Sequence, residues 1–191
     1  MTNKESIMAT MTVTLQTGST RTINSEEVSR IYERNNRRDI YLGPGNVETT
    51  VLSVTNPMAT LISSLGNLKS LTELNTNKIL AVNTDFISRV LDDYGSSRNV
   101  WFGPGQIVGT TSDVVAVKET SVAMHTLLGL PKVTHQSNGR IHLINPSYVS
   151  RVDSGSTWRN IWTGEGNVAG IYASVTSVKE TVAQLKSMGI G

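Results

Sequence analysis

Apolar and polar residues alternate with a period of two along much of the chain. Residues 12–16 read Thr-Val-Thr-Leu-Gln, which is the alternation expected of a half-buried β-strand. A Gly-Ser pair then predicts a turn, and further strands are predicted at residues 20–24, 28–32 and 49–54. The first third of the chain is therefore predicted to be an antiparallel β structure.

One eight-residue pattern occurs three times, at residues 38–45, 98–105 and 159–166. Each copy has Arg, then Asn or Asp, a β-branched residue, an aromatic residue, a variable residue, Gly, Pro or Glu, and Gly. Three copies in one chain indicate tandem repeats, and repeats decide the architecture before any motif is interpreted. Each copy is predicted to be a strand that runs into a glycine-containing turn.

Other matching positions set the register of these repeats. They are Ile23-Asn24, Val82-Asn83 and Ile144-Asn145, then Ser29-Arg30, Ser88-Arg89 and Ser150-Arg151, and late in two copies Val117 to Thr120 and Val178 to Thr181. The register predicts an amino-terminal arm at residues 1–10, followed by a first segment (residues 11–66), a second segment (residues 70–129) and a third segment (residues 132–189).

Each segment is predicted to end in a short helix with one apolar face. In the first segment Asn56 is predicted to be the N-cap, with Pro57 at the first helical position. The predicted apolar faces are Met58, Leu61, Ile62 and Leu65; Val122, Leu127 and Leu128; and Val182, Leu185 and Met188. In the third segment Asn138-Gly139 predicts a tight type I′ hairpin.

The predicted fold class is α+β and mainly β, with three tandem repeats of about 60 residues, each β-β-β-β-α in order. A unit of this size buries little apolar surface alone, so its exposed edge is expected to be covered by the next unit. The units could close around an axis or stack as a short row. We favour a closed, pseudo-threefold arrangement, because an open row would leave sheet edges unpaired.

Composition narrows the function classes. Hydrophobic residues are 38% of the chain and charged residues 17%, which suits a β-rich protein with many turns. A net charge of +2 is a weak argument for nucleic acid. The absence of cysteine excludes disulfides, thiolate catalysis and Cys-ligated zinc. No apolar stretch approaches the roughly 18 residues of a transmembrane helix, so a soluble protein with no membrane partner is expected.

The repeated arginines and aromatic residues are the candidate interface or anion-binding residues. Rings of guanidinium groups around an axis could hold phosphate or carboxylate, and aromatic residues beside arginines can stack on single-stranded nucleic acid. The alternative is that each arginine pairs with a carboxylate of its own or the neighbouring unit or packs its stem over the sheet, while the aromatic rings fill the core or pack between units. The carboxylates that closely follow Arg30, Arg89 and Arg151 are Glu33, Asp92 or Asp93, and Asp153. The candidates are Arg30, Arg38, Arg89, Arg98, Arg151, Arg159, Tyr41, Trp101 and Trp162.

No catalytic or metal site is predicted, and no cofactor. The histidines do not recur at matching positions, and none has a partner at zinc-ligand spacing. The Gly-x-Gly pairs lack the Lys-Ser/Thr ending of a phosphate-binding loop and run towards a strand. They are interpreted as structural turns that need permissive backbone angles: Gly43, Gly45, Gly103, Gly105, Gly164 and Gly166.

The order of a hairpin, Ile/Val-Asn, Val/Ile-Ser-Arg, further strands and a helix after Val178-Lys179-Glu180-Thr181 resembles the small FlbD-type domain of flagellar assembly. In overall character the chain also resembles structural proteins of tailed-phage particles: Ser/Thr/Asn-rich, cysteine-free, low in charge and internally triplicated. This second resemblance implies a capsid decoration or cement protein, or an assembly adaptor, located in a virion assembled in the host cytoplasm.

Three functions follow as hypotheses. The first is a non-enzymatic structural protein that binds major capsid or other virion proteins. The second is a nucleic-acid-binding module that uses the repeated arginines and aromatic residues. The third is an enzyme with one diverged site, which ranks last because no acid-base or metal set recurs.

Overall fold

A computed structural model describes residues 9–43, 50–94, 97–103, 106–107, 114–164, 171–172 and 174–191. It confirms a mainly β chain with antiparallel sheets and three short helices. The strands are β1 Thr10–Thr14, β2 Thr20–Asn24, β3 Val28–Glu33, β4 Arg38–Leu42, β5 Thr50–Val54, β6 Leu68–Thr72, β7 Ile79–Asn83, β8 Ile87–Tyr94, β9 Ser97–Phe102, β10 Gln106–Ile107, β11 Val114–Val117, β12 Lys132–Thr134, β13 Ile141–Ile144, β14 Val149–Ser154, β15 Arg159–Thr163, β16 Ile171–Tyr172 and β17 Ser174–Val178. The helices are α1 Met58–Leu65, α2 Ser121–Leu128 and α3 Val182–Ser187.

Each predicted segment contains the same succession of elements. A hairpin leads into a 3₁₀ turn, three further strands follow, and a helix ends the segment. The 3₁₀ turns are Ser25–Glu27, Thr84–Phe86 and Pro146–Tyr148. The expected order β-β-β-β-α is therefore not confirmed, because the hairpin supplies two strands, three main strands follow, and β10 and β16 add one short strand to the second and third segments. The segment boundaries and the amino-terminal arm stay predictions, and residues 1–8 lie outside the described residues.

The larger sheets combine strands of neighbouring segments. One five-stranded sheet has the order β5-β4-β3-β7-β6, so the hairpin of the second segment pairs with the first segment. The next has the order β11-β9-β8-β13-β12, so the third hairpin pairs with the second segment. All of these pairings are antiparallel. Each hairpin thus covers the sheet edge left open by the preceding segment, as expected from the small size of one unit.

Within each segment the hairpin also contacts the last strand. Isolated bridges join Leu15 to Val54, Glu73 to Val117 and His135 to Val178. Following the pairings, the main strands form one run from β2 to β14: β2-β1, then β5-β4-β3-β7-β6, then β11-β9-β8-β13-β12, then β17-β15-β14. A short additional pairing joins β10 to β16.

The run of strands does not close on itself in one chain. Closure would place β2 beside β14, but β2 pairs with β1 and β14 pairs with β15, and no other strand in the described part of the chain pairs with either. The expected closed, pseudo-threefold arrangement is therefore not confirmed. Among the residues that the structure describes, the segments follow one another in an open row whose end strands are β2 and β14.

Three hydrophobic clusters form the core. Two of them contain residues from neighbouring segments, and the third lies at the end of the row. The first-segment cluster includes Leu68 and Ala81 of the second segment. The second-segment cluster includes Tyr32 of the first segment and Leu143 of the third. The third-segment cluster has Val133, Ile144, Ile161, Val178, Leu185 and Ile190. The first two clusters therefore depend on the next hairpin along the chain.

Two local predictions are wrong. The third hairpin is not a two-residue type I′ turn, because the N–H of His135 bonds to the carbonyl of Arg140 and only Gly139 of the Asn-Gly pair has a positive φ. In α2 the buried residues are Ser121, Met124 and Leu128, whereas Val122 and Leu127 are exposed. The buried face is therefore displaced around the helix axis from the predicted one. Because the helix begins directly after its Thr120 cap, Met124 faces the core.

The faces predicted for the other helices agree with the structure. Met58, Leu61 and Leu65 are buried in α1, and Leu185 is buried in α3. No helix formed by the described residues is both long and apolar enough to cross a membrane.

The shared cores predict a cooperative effect of Leu143. This residue belongs to the third segment, is fully buried and packs in the second-segment cluster. We expect Leu143→Ala to lower the free energy of unfolding by about 2 to 5 kcal/mol. Val122→Ala, at a residue that is 57% exposed, should change it by less than about 0.5 kcal/mol. Urea unfolding followed by circular dichroism measures both, and equal effects would contradict the shared core.

Candidate assembly interface

The repeated Ser-Arg pairs lie at β-bulges on the third strand of each segment. The register against the next strand shifts between Val28 and Arg30, between Ile87 and Arg89, and between Val149 and Arg151. The extra residue in each case is the serine. Its hydroxyl donates to the carbonyl of the aromatic residue on the neighbouring strand: Ser29 to Tyr41 at 3.1 Å, Ser88 to Trp101 at 3.3 Å and Ser150 to Trp162 at 3.3 Å. A bulge re-aims the side chain that follows it, which here is arginine.

Each of these arginines stacks on the aromatic residue of the repeated eight-residue pattern. The guanidinium carbon of Arg30 lies 4.1 Å from the ring centroid of Tyr41, that of Arg89 4.4 Å from Trp101, and that of Arg151 4.1 Å from Trp162. Such cation–π contacts contribute about 0.5 to 2 kcal/mol, with the larger values at desolvated sites. The repeated arginines and the repeated aromatic residues, which are both candidate binding residues in the sequence, therefore form one structural pair in each segment.

The first two of these pairs lie between segments. Arg30 is 2% exposed and its guanidinium also lies 4.8 Å from the ring of Phe102 in the second segment. Arg89 is 3% exposed and donates to the hydroxyl of Thr163 in the third segment at 2.9 Å. Phe102 and Thr163 hold the same position of the eight-residue pattern. Each buried arginine therefore connects its segment to the same position in the next one.

Arg151 is the exception, because no hairpin in the described part of the chain pairs with β14. About 51% of its side chain is exposed, and it pairs with the exposed carboxylate of Asp153 at 3.3 Å. Asp153 also accepts from the indole N–H of Trp162 at 2.6 Å. The bulge, the arginine and the aromatic ring are thus arranged on β14 as they are on β3 and β8. The difference is that β14 is not covered by a neighbouring hairpin among the described residues.

The second set of arginines lies near the start of the fourth strand, close to the turn that connects it to the third strand. Arg38 pairs with Glu33 at 3.7 Å and Arg98 with Asp92 at 3.4 Å. Arg159 donates instead to the carbonyls of Gly155 and Trp158, because Ser154 stands where the other segments have a carboxylate. Carboxylate pairing was the alternative proposed from the sequence, and it describes Arg38, Arg98 and Arg151. Arg30 and Arg89 stack on the aromatic rings of Tyr41 and Trp101.

The repeated asparagines support the same junction. Each accepts from the backbone N–H two residues later and so begins the 3₁₀ turn: Asn24 from Glu26, Asn83 from Asp85 and Asn145 from Ser147. Asn145 is buried, and its amide also donates to the carbonyls of Thr84 at 3.3 Å and Ile87 at 2.9 Å in the second segment. Asn145 therefore joins its own turn to the turn of the preceding segment, whereas at the first junction the carbonyl of Ser25 accepts from Asn67 at 2.9 Å.

The Val-Lys-Glu-Thr motif anchors each hairpin to the helix of its segment. Glu119 accepts from the N–H of Thr72, and Glu180 from the N–H of Thr134, both at 2.8 Å. The following Thr120 and Thr181 cap α2 and α3. In the first segment Asn56 holds the glutamate position and accepts from the N–H of Thr14 at 2.7 Å. The prediction that Asn56 is the N-cap is therefore wrong; Pro57 holds that position without a side-chain bond.

The first glycine of each repeated pair occupies a turn that requires a positive φ. Gly43, Gly103 and Gly164 have φ values of 91°, 77° and 97°. Their N–H groups donate to the 3₁₀ turns, to the carbonyls of Glu27, Phe86 and Tyr148. A non-glycine residue would be strained there, which agrees with the predicted role in the backbone. The second glycines, Gly45, Gly105 and Gly166, lie outside the described residues.

The histidines and a shallow pocket are the other features that could hold a ligand. The residues described by the structure contain no group of three His, Asp or Glu side chains that could hold a metal ion. His135 stacks on buried His142 at 4.9 Å, and His125 contacts the carbonyl of Leu130 through Nδ1 at 2.7 Å. A shallow pocket includes Arg34, Arg37 and Lys78 in its lining. Asp39 pairs with both arginines and Asn35 contacts the lysine, so their charges and donors are already engaged.

An apolar residue is exposed at the same place in every segment. Val51, Val114 and Val175 lie on the last strand, directly opposite Tyr41, Trp101 and Trp162. They are 45%, 40% and 45% exposed. The three valines, which we call the valine row, were missed from the sequence because a valine in a strand is normally expected to face a core. Aligning the repeats by the final valine of each strand could have identified the row.

Comparison of the chain with protein-family models, with curated proteins and with solved structures found no match. The resemblances to FlbD-type domains and to tailed-phage structural proteins therefore stay predictions. So does the assignment of the repeated arginines and aromatic residues to an interface with another molecule.

The asparagine junction predicts unequal effects at equivalent residues. We expect Asn145→Ala to lower the free energy of unfolding by about 2 to 3 kcal/mol, because it removes a cap and leaves two inter-segment carbonyls without their donor. Asn24→Ala removes the equivalent cap at a chain end and should cost about 1 kcal/mol. Thermal and urea unfolding of the two variants measure the difference. An equal loss would mean that the inter-segment bonds contribute nothing.

Tyr148 predicts a loss of stability in alkaline solution. Burial raises the pKa of Tyr148 above its ordinary value, and the nearby charge of Asp85 raises the pKa further. Its hydroxyl donates to the carbonyl of Asp85 at 2.9 Å. Because the folded state favours the protonated phenol, its contribution is complete below pH about 10, the unfolded pKa, and is lost as the pH rises through the folded pKa. Tyr148→Phe should therefore lose less stability than the unsubstituted chain between pH 9 and about 11, as measured by urea unfolding.

Proposed function

We propose that the chain is a non-enzymatic structural protein that joins protein surfaces in a larger assembly. The observation that carries this proposal is the open strand junction at each end of the row. Within the chain, the repeated Ser-Arg, Asn and aromatic residues join one segment to the next. At the ends of the row the same residue types are present without a neighbouring segment.

The exposure of β14 illustrates the first open junction. The equivalent strand β3 is buried over most of its length, whereas β14 alternates between half-buried and exposed residues. At the other end β2 has exposed residues where β7 is buried. Unpaired edges offer backbone N–H and C=O groups to another strand, and proteins that remain monomeric normally protect them. Two such edges in a row of repeats favour a role in assembly.

The valine row adds a second kind of surface. Repeated apolar residues at equivalent positions can contact repeated positions on a protein shell, which gives a mechanical reason for triplication. Each valine that loses its exposure on binding contributes about 1 kcal/mol through the apolar area removed from water. We propose that this row faces the protein partner of the assembly.

The proposed assembly is a tailed-phage particle, in which the chain is a capsid decoration or cement protein or an assembly adaptor. Its partners are then the major capsid protein or other virion proteins, and its location is the virion. The support for this step is compositional: a cysteine-free chain, low in charge and rich in small polar residues, with three similar units.

Nucleic-acid binding is the second candidate and receives less support. Arg30 and Arg89 are buried against aromatic rings, so neither offers its charge to a phosphate backbone. Arg151 with Trp162 is the exposed pair that still fits single-stranded nucleic acid. One exposed pair is a small basis for affinity, because backbone binding normally needs several neutralised phosphates.

The function is tested by measuring the chain in density-purified phage particles from lysates that contain it. Quantitative mass spectrometry should find a fixed ratio of chain to major capsid protein. In reconstitution with particles that lack the chain, the triple substitution Val51→Thr, Val114→Thr and Val175→Thr should lower affinity about a hundredfold. Val122→Thr, at an equally exposed valine of α2, is the matched control and should bind normally.

Two outcomes would contradict this function. The first is absence of the chain from purified particles together with turnover of a small substrate by the purified protein. The second is a salt-dependent shift of labelled single-stranded DNA that is lost in Arg151→Ala with Trp162→Ala, which would favour the nucleic-acid candidate.

A further inference from the structure

We infer that the partner of the open edge of β14 is the β1–β2 hairpin of a second copy of this chain. The copies would join head to tail through the same strand junction that joins the segments inside one chain. This inference rests on the proposed structural function and names one of its partners.

The internal junctions supply the geometry of the proposed contact. In the chain, the second strand of a hairpin pairs with the third strand of the preceding segment: β7 with β3, and β13 with β8. In the described part of the chain, the third strand without such a partner is β14, and the hairpin strand without one is β2. One further junction of the same type requires a third strand with an open edge and a hairpin strand to cover it. β14 and β2 meet these two requirements, and they lie at opposite ends of the row.

The internal register, carried over to β14 and β2, defines which residues would face each other. Arg30 faces Val82 and Arg89 faces Ile144, so Arg151 would face Ile23 of the second copy. Two positions further along, Tyr32 faces Leu80. The equivalent residues on β14 and β2 are Asp153 and Arg21, which would therefore face each other between the copies.

The change of residue type at this position is the strongest support for a second copy. The internal pair of Tyr32 and Leu80 is apolar, whereas the two residues at the open ends carry opposite charges. Opposite charges directly across an antiparallel pair stabilise it, and like charges destabilise it. Polar protection of the edges alone would explain charge at both ends, but it would not require opposite signs at facing positions.

The two faces of the proposed junction agree with the internal cores. Ala81 and Leu143 reach the cluster of the preceding segment, and Thr22 is their equivalent on β2. In the assembly Thr22 would lie beside Val152, which is half-buried against the third-segment cluster. Ile23 already packs in the cluster of its own segment, as Val82 and Ile144 do. Strand pairing would therefore extend both cores without rearranging either.

Asn24 adds a specific hydrogen-bond donor to the junction. Its Oδ1 already accepts from Glu26, as Asn145 Oδ1 accepts from Ser147. Asn145 also donates to the carbonyls of Thr84 and Ile87, whose equivalents in the third segment are Pro146 and Val149. In the assembly the amide of Asn24 would donate to these two carbonyls of the preceding copy.

A junction between different surfaces of identical chains is heterologous. Such junctions form a closed ring when the rotation between copies returns to its start, and a filament when it does not. Either product has a mass greater than one chain, and in both every β14 is covered except at a filament end.

The first experiment is a charge exchange in the full-length chain, followed by sedimentation velocity over a wide range of concentrations. The unsubstituted chain should associate reversibly. Arg21→Asp and Asp153→Arg should each weaken association about tenfold, because like charges then face each other. Asp153→Arg also removes the contacts with Arg151 and Trp162, so the decisive variant carries both changes. The double variant should regain association while either single variant does not.

The second experiment uses the absence of cysteine in the chain. Mixing chains that carry Thr22→Cys with chains that carry Val152→Cys should give a disulfide between positions 22 and 152, identified by peptide mass mapping. Thr12→Cys is the matched control, because Thr12 faces Thr22 across the hairpin and lies on the inner strand β1. Its mixture with Val152→Cys should not form a crosslink.

The inference is overturned if the chain remains a monomer at all concentrations and forms no link between positions 22 and 152. It is also overturned if the chain associates but the charge exchange has no effect and crosslinks map elsewhere. A monomeric chain that is still present in phage particles would refute self-assembly and leave the proposed function intact. If the chain self-assembles through this junction but is absent from phage particles, the inference stands and the proposed phage function is refuted.

Discussion

Pairing of strand edges is the constraint on which the rest of the structure depends. The three strands that follow each 3₁₀ turn form a sheet whose first strand has a free edge, and a free edge leaves a row of backbone groups without partners. The next hairpin along the chain covers that edge and extends the core beneath it. The bulge at the Ser-Arg pair, the cation–π stack and the asparagine bonds all occur at this one junction. The repeat is therefore a unit of connection, and the first two segments complete their sheets with the hairpin of the next segment.

This constraint explains why the same residues have different environments in the three segments. Arg30 and Arg89 are buried where a hairpin pairs with their strand, and Arg151 is exposed on β14, which has no such hairpin among the described residues. In all three segments the residue is an arginine, and its neighbour on the next strand is aromatic. Position in the row determines whether the arginine is part of a core or part of a surface. An apparent binding residue in one segment is thus a packing residue in another.

The sequence predicted the repeats, the strand-rich character and the glycine turns, because all three leave local signals: a period of two, matching motifs and glycine at fixed positions. It did not predict the strand count or the open row. Pairing between β3 and β7 joins residues far apart in the chain, and alternation along one strand does not reveal which strand lies beside it. The stacking of Arg30 on Tyr41 was missed for the same reason, since the bulge that aims the arginine arises only when the two strands are paired. Asn56 was misread as a cap because it holds the place of Glu119 and bonds to a hairpin strand that precedes it by many residues.

The central claim is that the open edges of β14 and β2 are covered by other copies of the chain. Hydrogen exchange of backbone amides, measured by mass spectrometry at low and high protein concentration, tests it most directly. The account predicts that residues 20–24 and 149–154 gain protection together as concentration rises, while the internal strands β3 and β7 stay protected throughout. Rapid exchange in both edge strands at every concentration would contradict the account.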